Sequence, residues 1–353
     1  MKTSSPHRTT LLAVTVLAST IHLALAAEPP KAGAPEYAVT AHFTVGGEGG
    51  WDYLVADGAA KRLYVPRGTR VMVLDLATGK PVGEIPGTAG VHGVALAPEL
   101  KRGFTSNGRS STVTVFDLAT LKTLAEWKTT GENPDAILYE PVTKRVFTFN
   151  GRGANATAID AATGEVVGTI ALGGKPEFAA SDPSGRVWVN IEDKSEVAVL
   201  DARKVVVEKR WPLAGCKDPT GLALDAKNGR LFVGCGNNVA AVVSTADGKL
   251  LATVPTGAGT DGVAFDPGTG LAFVSNGEGT LTVIRETSPG TFAAVQSVST
   301  QRGARTVALD EKTHRLYLPT AKFGPPPSPT PDRPNPRPSV IPGSFEILVV
   351  GPK

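Results

Sequence analysis

No run of about 18 apolar residues occurs in the chain, so a conventional membrane-spanning helix is not expected. Aromatic residues make up only 6% and are scattered along the 353 positions, which gives no sign of a membrane-interface belt. There are two cysteines and five histidines, and neither a Cys-x-x-Cys pair nor a His-Glu-x-x-His helix is present. A Gly-x-Ser-x-Gly elbow and a phosphate-binding loop are missing as well, so the common covalent, zinc-hydrolytic and nucleotide signatures find no support. The formal charge is only +3, and Lys2 and Arg8 supply two of those positives from a leading segment expected to be removed. A remainder near +1 excludes a globally basic nucleic-acid binder, and nucleic acid is not an expected partner.

What is present begins with an export signal. Residues 1–10 carry Lys2, His7 and Arg8 with no acid, and Leu11–Ala26 is apolar apart from Thr15, Ser19, Thr20 and His22. The stretch ends in Ala24-Leu25-Ala26, a form that signal peptidase accepts. An uncleaved anchor is the competing reading, and the shortness of the stretch counts against it. The expectation is a signal peptide over 1–26, a linker over 27–36 and a periplasmic or secreted, monomeric product from 37 to 353.

One phrase then recurs seven times: a polar residue, a few apolar or small residues, and usually an acid. It reads DYLVAD, HGVALA, DAILYE, EFAASD, TGLALD, DGVAFD and RTVALD. Its first residues are Asp52, His92, Asp135, Glu177, Thr220, Asp261 and Arg305, spaced by 40, 43, 42, 43, 41 and 44. An aromatic follows at 12 residues in every copy but the fourth, where Trp188 follows at 11. Segments rich in Val, Ile, Phe and Thr alternate with turns such as Thr78-Gly79-Lys80 and Thr163-Gly164-Glu165. Four short strands per repeat of this length predict an all-β, seven-bladed β-propeller of four-stranded antiparallel blades. The last repeat stops after its third strand, and Val39–Val45 lacks companions of its own. That leading strand is therefore expected to complete the last blade and close the ring, removing exposed edges.

The second strands read FTSN at Phe104–Asn107, FTFN at Phe147–Asn150 and FVSN at Phe273–Asn276, each followed by Gly. They resemble the Tyr-Val-Thr-Asn core of the YVTN-repeat, YncE-like propellers, over about residues 37–350. Arg67, Ile191, Cys235 and Thr320 stand where the pattern has Asn. The resemblance implies an exported propeller that is usually a binding protein, and it implies no catalytic group.

Propeller topology places the seven phrase-initial residues on one rim, around the channel. Near them it places Arg67, Arg70, Asn107, Arg109, Asn150, Arg152, Glu192, Asp193, Asn237, Asn276, Glu278 and Lys322. The opposite rim carries uniform Gly/Asp turns, so varied loops on a rigid scaffold mark the first rim as the binding face. The candidate contacts are Asp52, His92, Asp135, Glu177, Asp261, Arg305, Asn107, Arg109, Asn150, Arg152 and Asn276. Four carboxylates and His92 also raise a divalent cation, with His92, Asp135 and Asp261 as its candidate ligands. A seven-fold ring is expected to hold such groups apart, so no cofactor is expected outright. His92 is read as a loop cap in preference to a contact, and the three Asn-Gly pairs as type I′ turns in preference to ligand contacts.

Cys216 and Cys235 both fall on this rim, and an even count in an exported chain predicts their disulfide. Phe323–Gly343, with nine prolines, enlarges the seventh blade by 21 residues. It is expected as a solvated loop, or alternatively as an arm or partner-docking segment at the mouth. The functional expectation is a non-catalytic binder of a small polar ligand or a periplasmic protein. The alternative is a metal-dependent lyase or hydrolase working through the ring carboxylates.

Overall fold

A computed structural model describes residues 1–2, 35–328, 330, 336 and 338–353. Apart from Met1 and Lys2, the expected signal peptide lies outside the described residues, as does the linker up to residue 34. Residues Pro35–Lys353 form one compact unit. No helix among the described residues is long and apolar enough to cross a membrane.

The unit is all-β, with two single-turn 3₁₀ segments at Pro98–Leu100 and Glu192–Lys194. Its sheets are antiparallel: five of four strands and one of seven. The seven-stranded sheet arises because one 17-residue strand, Pro81–Ala97, serves two neighbours in turn. Its first half pairs with Gly68–Asp75, through Val71 opposite Ile85, and its second half with Arg102–Asn107, through Val94 opposite Thr105. The leading strand Tyr37–Thr44 pairs with Glu346–Pro352, in a sheet completed by Arg315–Thr320 and Ala308–Asp310.

Burial follows position within each sheet. Arg145–Asn150 is buried on both faces beyond its first residue, because a sheet packs on either side of it. The outer strand Val166–Ala171 is mostly exposed. Apolar side chains interlock between successive sheets: Phe147, Phe149 and Ile170 with Val187, Val189 and Leu200. Likewise Leu63, Val65 and Leu74 pack on Tyr317, Phe345 and Ile347, joining the first sheet to the last. Emptying one such position, Phe147→Ala for instance, costs roughly 3–5 kcal/mol.

Turns after the third strands repeat one device. Asp160 Oδ1 accepts the N–H groups of Ala162 and Thr163 at 2.9 and 2.8 Å and the Thr163 hydroxyl at 3.0 Å. Asp75, Asp117 and Asp201 likewise accept the backbone N–H groups that follow them. These bonds favour the carboxylates and hold all four below the ordinary range. Gly164 sits at φ +82, and a Cβ there would lie 2.3 Å from the Trp127 indole, so glycine is required on both counts.

Cys216 and Cys235 form the expected disulfide, 19 residues apart, with Cα atoms 5.3 Å apart. Closing a loop of that size contributes about 3 kcal/mol in the chain-entropy account.

Candidate ligand-binding site

Five of the seven phrase-initial residues enter the innermost strands at β-bulges. Between Pro134 and Ile137 the chain advances three residues while its partner advances two, from Asn150 to Thr148. The same slip brackets His92, Glu177 and Thr220, and a related one brackets Asp261. A bulge re-aims its side chain and deepens the local twist. Glycine follows the anchor in several copies because adjacent inner strands nearly touch there. A Cβ on Gly221 would lie 2.5 Å from the Asp261 carbonyl oxygen, and one on Gly262 would lie 2.9 Å from the Val307 nitrogen.

The anchors converge instead of standing apart, which corrects the expectation for a seven-fold ring. His92 Nδ1 lies 2.8 Å from Asp52 Oδ2 and 3.6 Å from Asp135 Oδ1. Potential ligand atoms of these three residues all lie within 4.8 Å of one another. His92 therefore stands between two carboxylates, within hydrogen-bond distance of Asp52, and is not a loop cap. Asp261, expected with the cation candidates, is held instead by the Arg305 guanidinium, which also approaches Asp52 Oδ1 at 3.5 Å. Glu177 accepts the Tyr53 hydroxyl at 3.0 Å and pairs with the Lys175 ammonium at 2.7 Å, and Lys175 also bonds Glu192. Together Asp52, Tyr53, Asp135, Lys175, Glu177, Glu192, Thr220, Asp261 and Arg305 line a cavity of about 530 Å³.

Burial sets the electrostatics. Desolvation, then the Asp135 charge, raises Glu177 to about 7 against the pull of Lys175. Desolvation also raises Asp135, outweighing His92. At His92 burial opposes protonation, but the Asp52 hydrogen bond and the charges of Asp135, Asp52 and Glu177 prevail and raise it.

Other sequence candidates fall elsewhere. Asn107, Asn150 and Asn276 are fully buried, so neither a ligand role nor a type I′ turn holds. Neither they nor the glycines after them have positive φ. Each amide instead ties the second strand to the third. Asn107 accepts the Thr105 hydroxyl at 2.8 Å and donates to Thr112 and Thr114 at 3.1 and 2.8 Å. Asn150 and Asn276 donate to the matching Asn155, Thr157, Thr280 and Thr282 oxygens. Arg109 and Arg152 are exposed, outside the residues lining the cavity. Arg67 is 1% exposed and lies 3.6 Å over the Phe345 ring, donating to the Gly47 carbonyl, so it leaves the basic face of the rim. Arg70 pairs with Glu84, Asn237 closes its own loop onto Lys217 and Gly215, and Asp193 accepts the Lys175 N–H.

Tyr53, Lys175 and Thr260 are cavity residues that sequence reasoning passed over. Lys175 had a signal, a lone cation two residues before an anchor acid. Tyr53 had none, because an aromatic beside an anchor looks like core.

The proline-rich insertion is not wholly a free loop. Its ends meet in an isolated bridge of Phe323 with Val340, and Gly324 N–H donates to Ser339 O at 2.9 Å. Residues 329, 331–335 and 337 lie outside the described residues. A second cavity, about 370 Å³, lies where Phe323, Pro338 and Val340 face Trp51, Arg302 and Arg305.

No protein-family model matches the chain, and no curated protein matches it in sequence. Among solved structures, hydrazine synthase of Kuenenia stuttgartiensis superposes with a TM-score of 0.65 at 17% identity, covering 76% of this chain and 92% of that one. Such a likeness shows the fold alone: with its four-stranded sheets, this protein is a β-propeller bearing an acidic cavity where its inner strands begin. Propellers host many unrelated activities, so function has to be argued from the cavity.

Proposed function

We propose that this chain is an exported, seven-bladed propeller of the YVTN-repeat, YncE-like kind that binds a small polar ligand at the mouth of its channel without transforming it. Seven phrases at near-constant spacing support the blade number, as do inner strands that neighbour one another in order from Val55–Asp57 to Ala308–Asp310 and back. The Tyr37–Thr44 pairing with Glu346–Pro352 supports closure by the leading strand. The disulfide is compatible with export.

One observation carries the binding role: a half-enclosed cavity of about 530 Å³ into which charged groups converge from widely separated repeats. Its cations are already matched, Arg305 to Asp261 and Lys175 to Glu177 and Glu192. Such paired groups orient a guest through a preformed field and are poorly placed to act as free acids or bases. A panel of charged and neutral metabolites screened by thermal shift tests the role. Ligands are expected that raise the melting temperature of the wild type and not of Asp135→Asn. A panel that shifts neither, or shifts both equally, would defeat the reading.

The Asp52–His92–Asp135 cluster favours a second reading, a divalent cation serving a lyase or hydrolase. Two carboxylates and an imidazole suit Mn²⁺ or Zn²⁺. Titrating either metal into chelator-treated protein separates the two. Stoichiometric uptake lost in Asp52→Asn would support the enzyme, and its absence is the outcome expected here.

A further inference from the structure

The binding reading leaves the chemical class of the guest open, and the two cavities narrow it. They share Arg305 but differ in character. The larger contains five carboxylates, Asp52, Asp135, Glu177, Glu192 and Asp261, against the two cations Lys175 and Arg305. Every carboxylate but one has a close basic partner: Glu177 and Glu192 have Lys175, Asp261 has Arg305, and Asp52 has His92. Among the described residues Asp135 is ion-paired with His92 alone, at 3.6 Å, while 15% of its side chain stays open. A carboxylate facing a cavity with so distant a partner gains most from a new cation.

The smaller cavity is walled by Trp51, Phe323, Pro338 and Val340. The Trp51 and Phe323 rings stand 6.2 Å apart, inclined at 52°. Phe323 is held in place by its bridge to Val340 and by the Ile341 N–H bond to Lys322 O at 2.8 Å. The proline-rich insertion thus contributes an apolar wall beside the acidic floor. Arg305 at the junction is neutralised by Asp261 and Asp52, and Arg302 is exposed, where solvent screens it.

We infer that the site takes an organic amine with an apolar body, its ammonium group directed to Asp135 and its hydrocarbon part lying against Trp51, Phe323 and Val340. An inorganic cation would leave the apolar cavity unused. An anion would meet the excess of carboxylates. A neutral apolar molecule would leave Asp135 uncompensated.

This inference rests on the binding role proposed above, and calorimetry with four probes tests it: octylamine, octanol, octanoate and ethylamine. Octylamine is expected to bind, octanol at least about 10-fold more weakly, and octanoate not at all, because only the amine makes a charge-assisted contact. Asp135→Asn is expected to weaken octylamine about 10-fold or more. Phe323→Ala is expected to weaken octylamine about 5-fold while leaving ethylamine unchanged, since only the longer probe reaches the wall. Unaltered circular dichroism and melting temperature guard against misfolding of either variant. Equal affinity for octanol and octylamine, binding indifferent to both substitutions, or no binding of octylamine overturns the inference. If octylamine fails while the metabolite screen yields a ligand lost in Asp135→Asn, this inference falls and the binding role stands. If the screen fails too, both fall.

Discussion

Two sets of carboxylates divide this propeller between them. Asp75, Asp117, Asp160 and Asp201 sit half-buried at the ends of third strands, and are held below their ordinary range by hydrogen bonds from the turns they cap. Asp135 and Glu177 sit at the starts of inner strands, desolvated, and are pushed above it. The residue types are similar and the environments opposite. An acid that organises its own backbone has its charge stabilised. An acid turned by a bulge into a shared cavity retains charge at a cost, and that cost can be relieved by a guest.

The largest test of this contrast concerns backbone space and not charge. Gly221→Ala, beside a ring anchor, would press a methyl group into the Asp261 carbonyl and is expected to cost about 3 kcal/mol in urea unfolding. Gly270→Ala, in a turn with φ +69 and open surroundings, should cost only about 1 kcal/mol through conformation alone. Equal costs would mean that the inner strands do not need their close approach.

A pH series separates the two sets next. Glu177, His92 and Asp135 are all raised in the folded protein, so each binds protons more tightly there than when unfolded. Their contribution is fully present at low pH. It is lost as pH rises, for Glu177 from its ordinary value of 4.5 through about 7. The turn acids behave in reverse: their contribution is present above 3.8 and disappears as pH falls through their depressed values. Chemical denaturation is expected to show a gentle decline toward neutrality, on the order of 1–2 kcal/mol, beside a separate acid limb. Glu177→Gln should flatten the decline and leave the acid limb intact. A decline that survives the substitution would remove Glu177 from the account.

The smallest effect is a difference in sign. Asp160→Ala deletes the acceptor of two backbone N–H groups and a threonine hydroxyl, and should cost about 1 kcal/mol. Asp135→Asn removes a desolvated charge whose nearest basic partner is His92 at 3.6 Å, and should leave thermal stability unchanged or slightly higher. A substantial loss at Asp135 would mean that its pairing with His92 stabilises the fold.

Much of the site was legible in the chain, because the anchors share a phase and the phase places them together. Six of the seven, Asp52, Asp135, Glu177, Thr220, Asp261 and Arg305, do line one cavity, and His92 bridges two of them. The three Asn residues precede a turn, which suggests a turn role, but their amides serve next-strand oxygens 5 and 7 residues on for Asn107 and Asn150, and 4 and 6 residues on for Asn276. Charge implies solvent, which makes Arg67 a rim cation on the sequence alone, but here the Phe345 ring and the Gly46–Gly47 carbonyls stand in for water. Tyr53 needed Glu177, 124 residues away, before its hydroxyl had a meaning.

The repeat, the strand-and-turn grammar, the cysteine pair and the identity of the ring are all legible in the linear chain, because each is written in local pattern and period. Which ring members meet, which carboxylate keeps the most distant partner, and that the proline-rich insertion lends an aromatic wall to the second, smaller cavity emerge only once the chain is folded. Those outcomes depend on bulges and desolvation, which arise from residues many repeats apart and leave no mark in any single one.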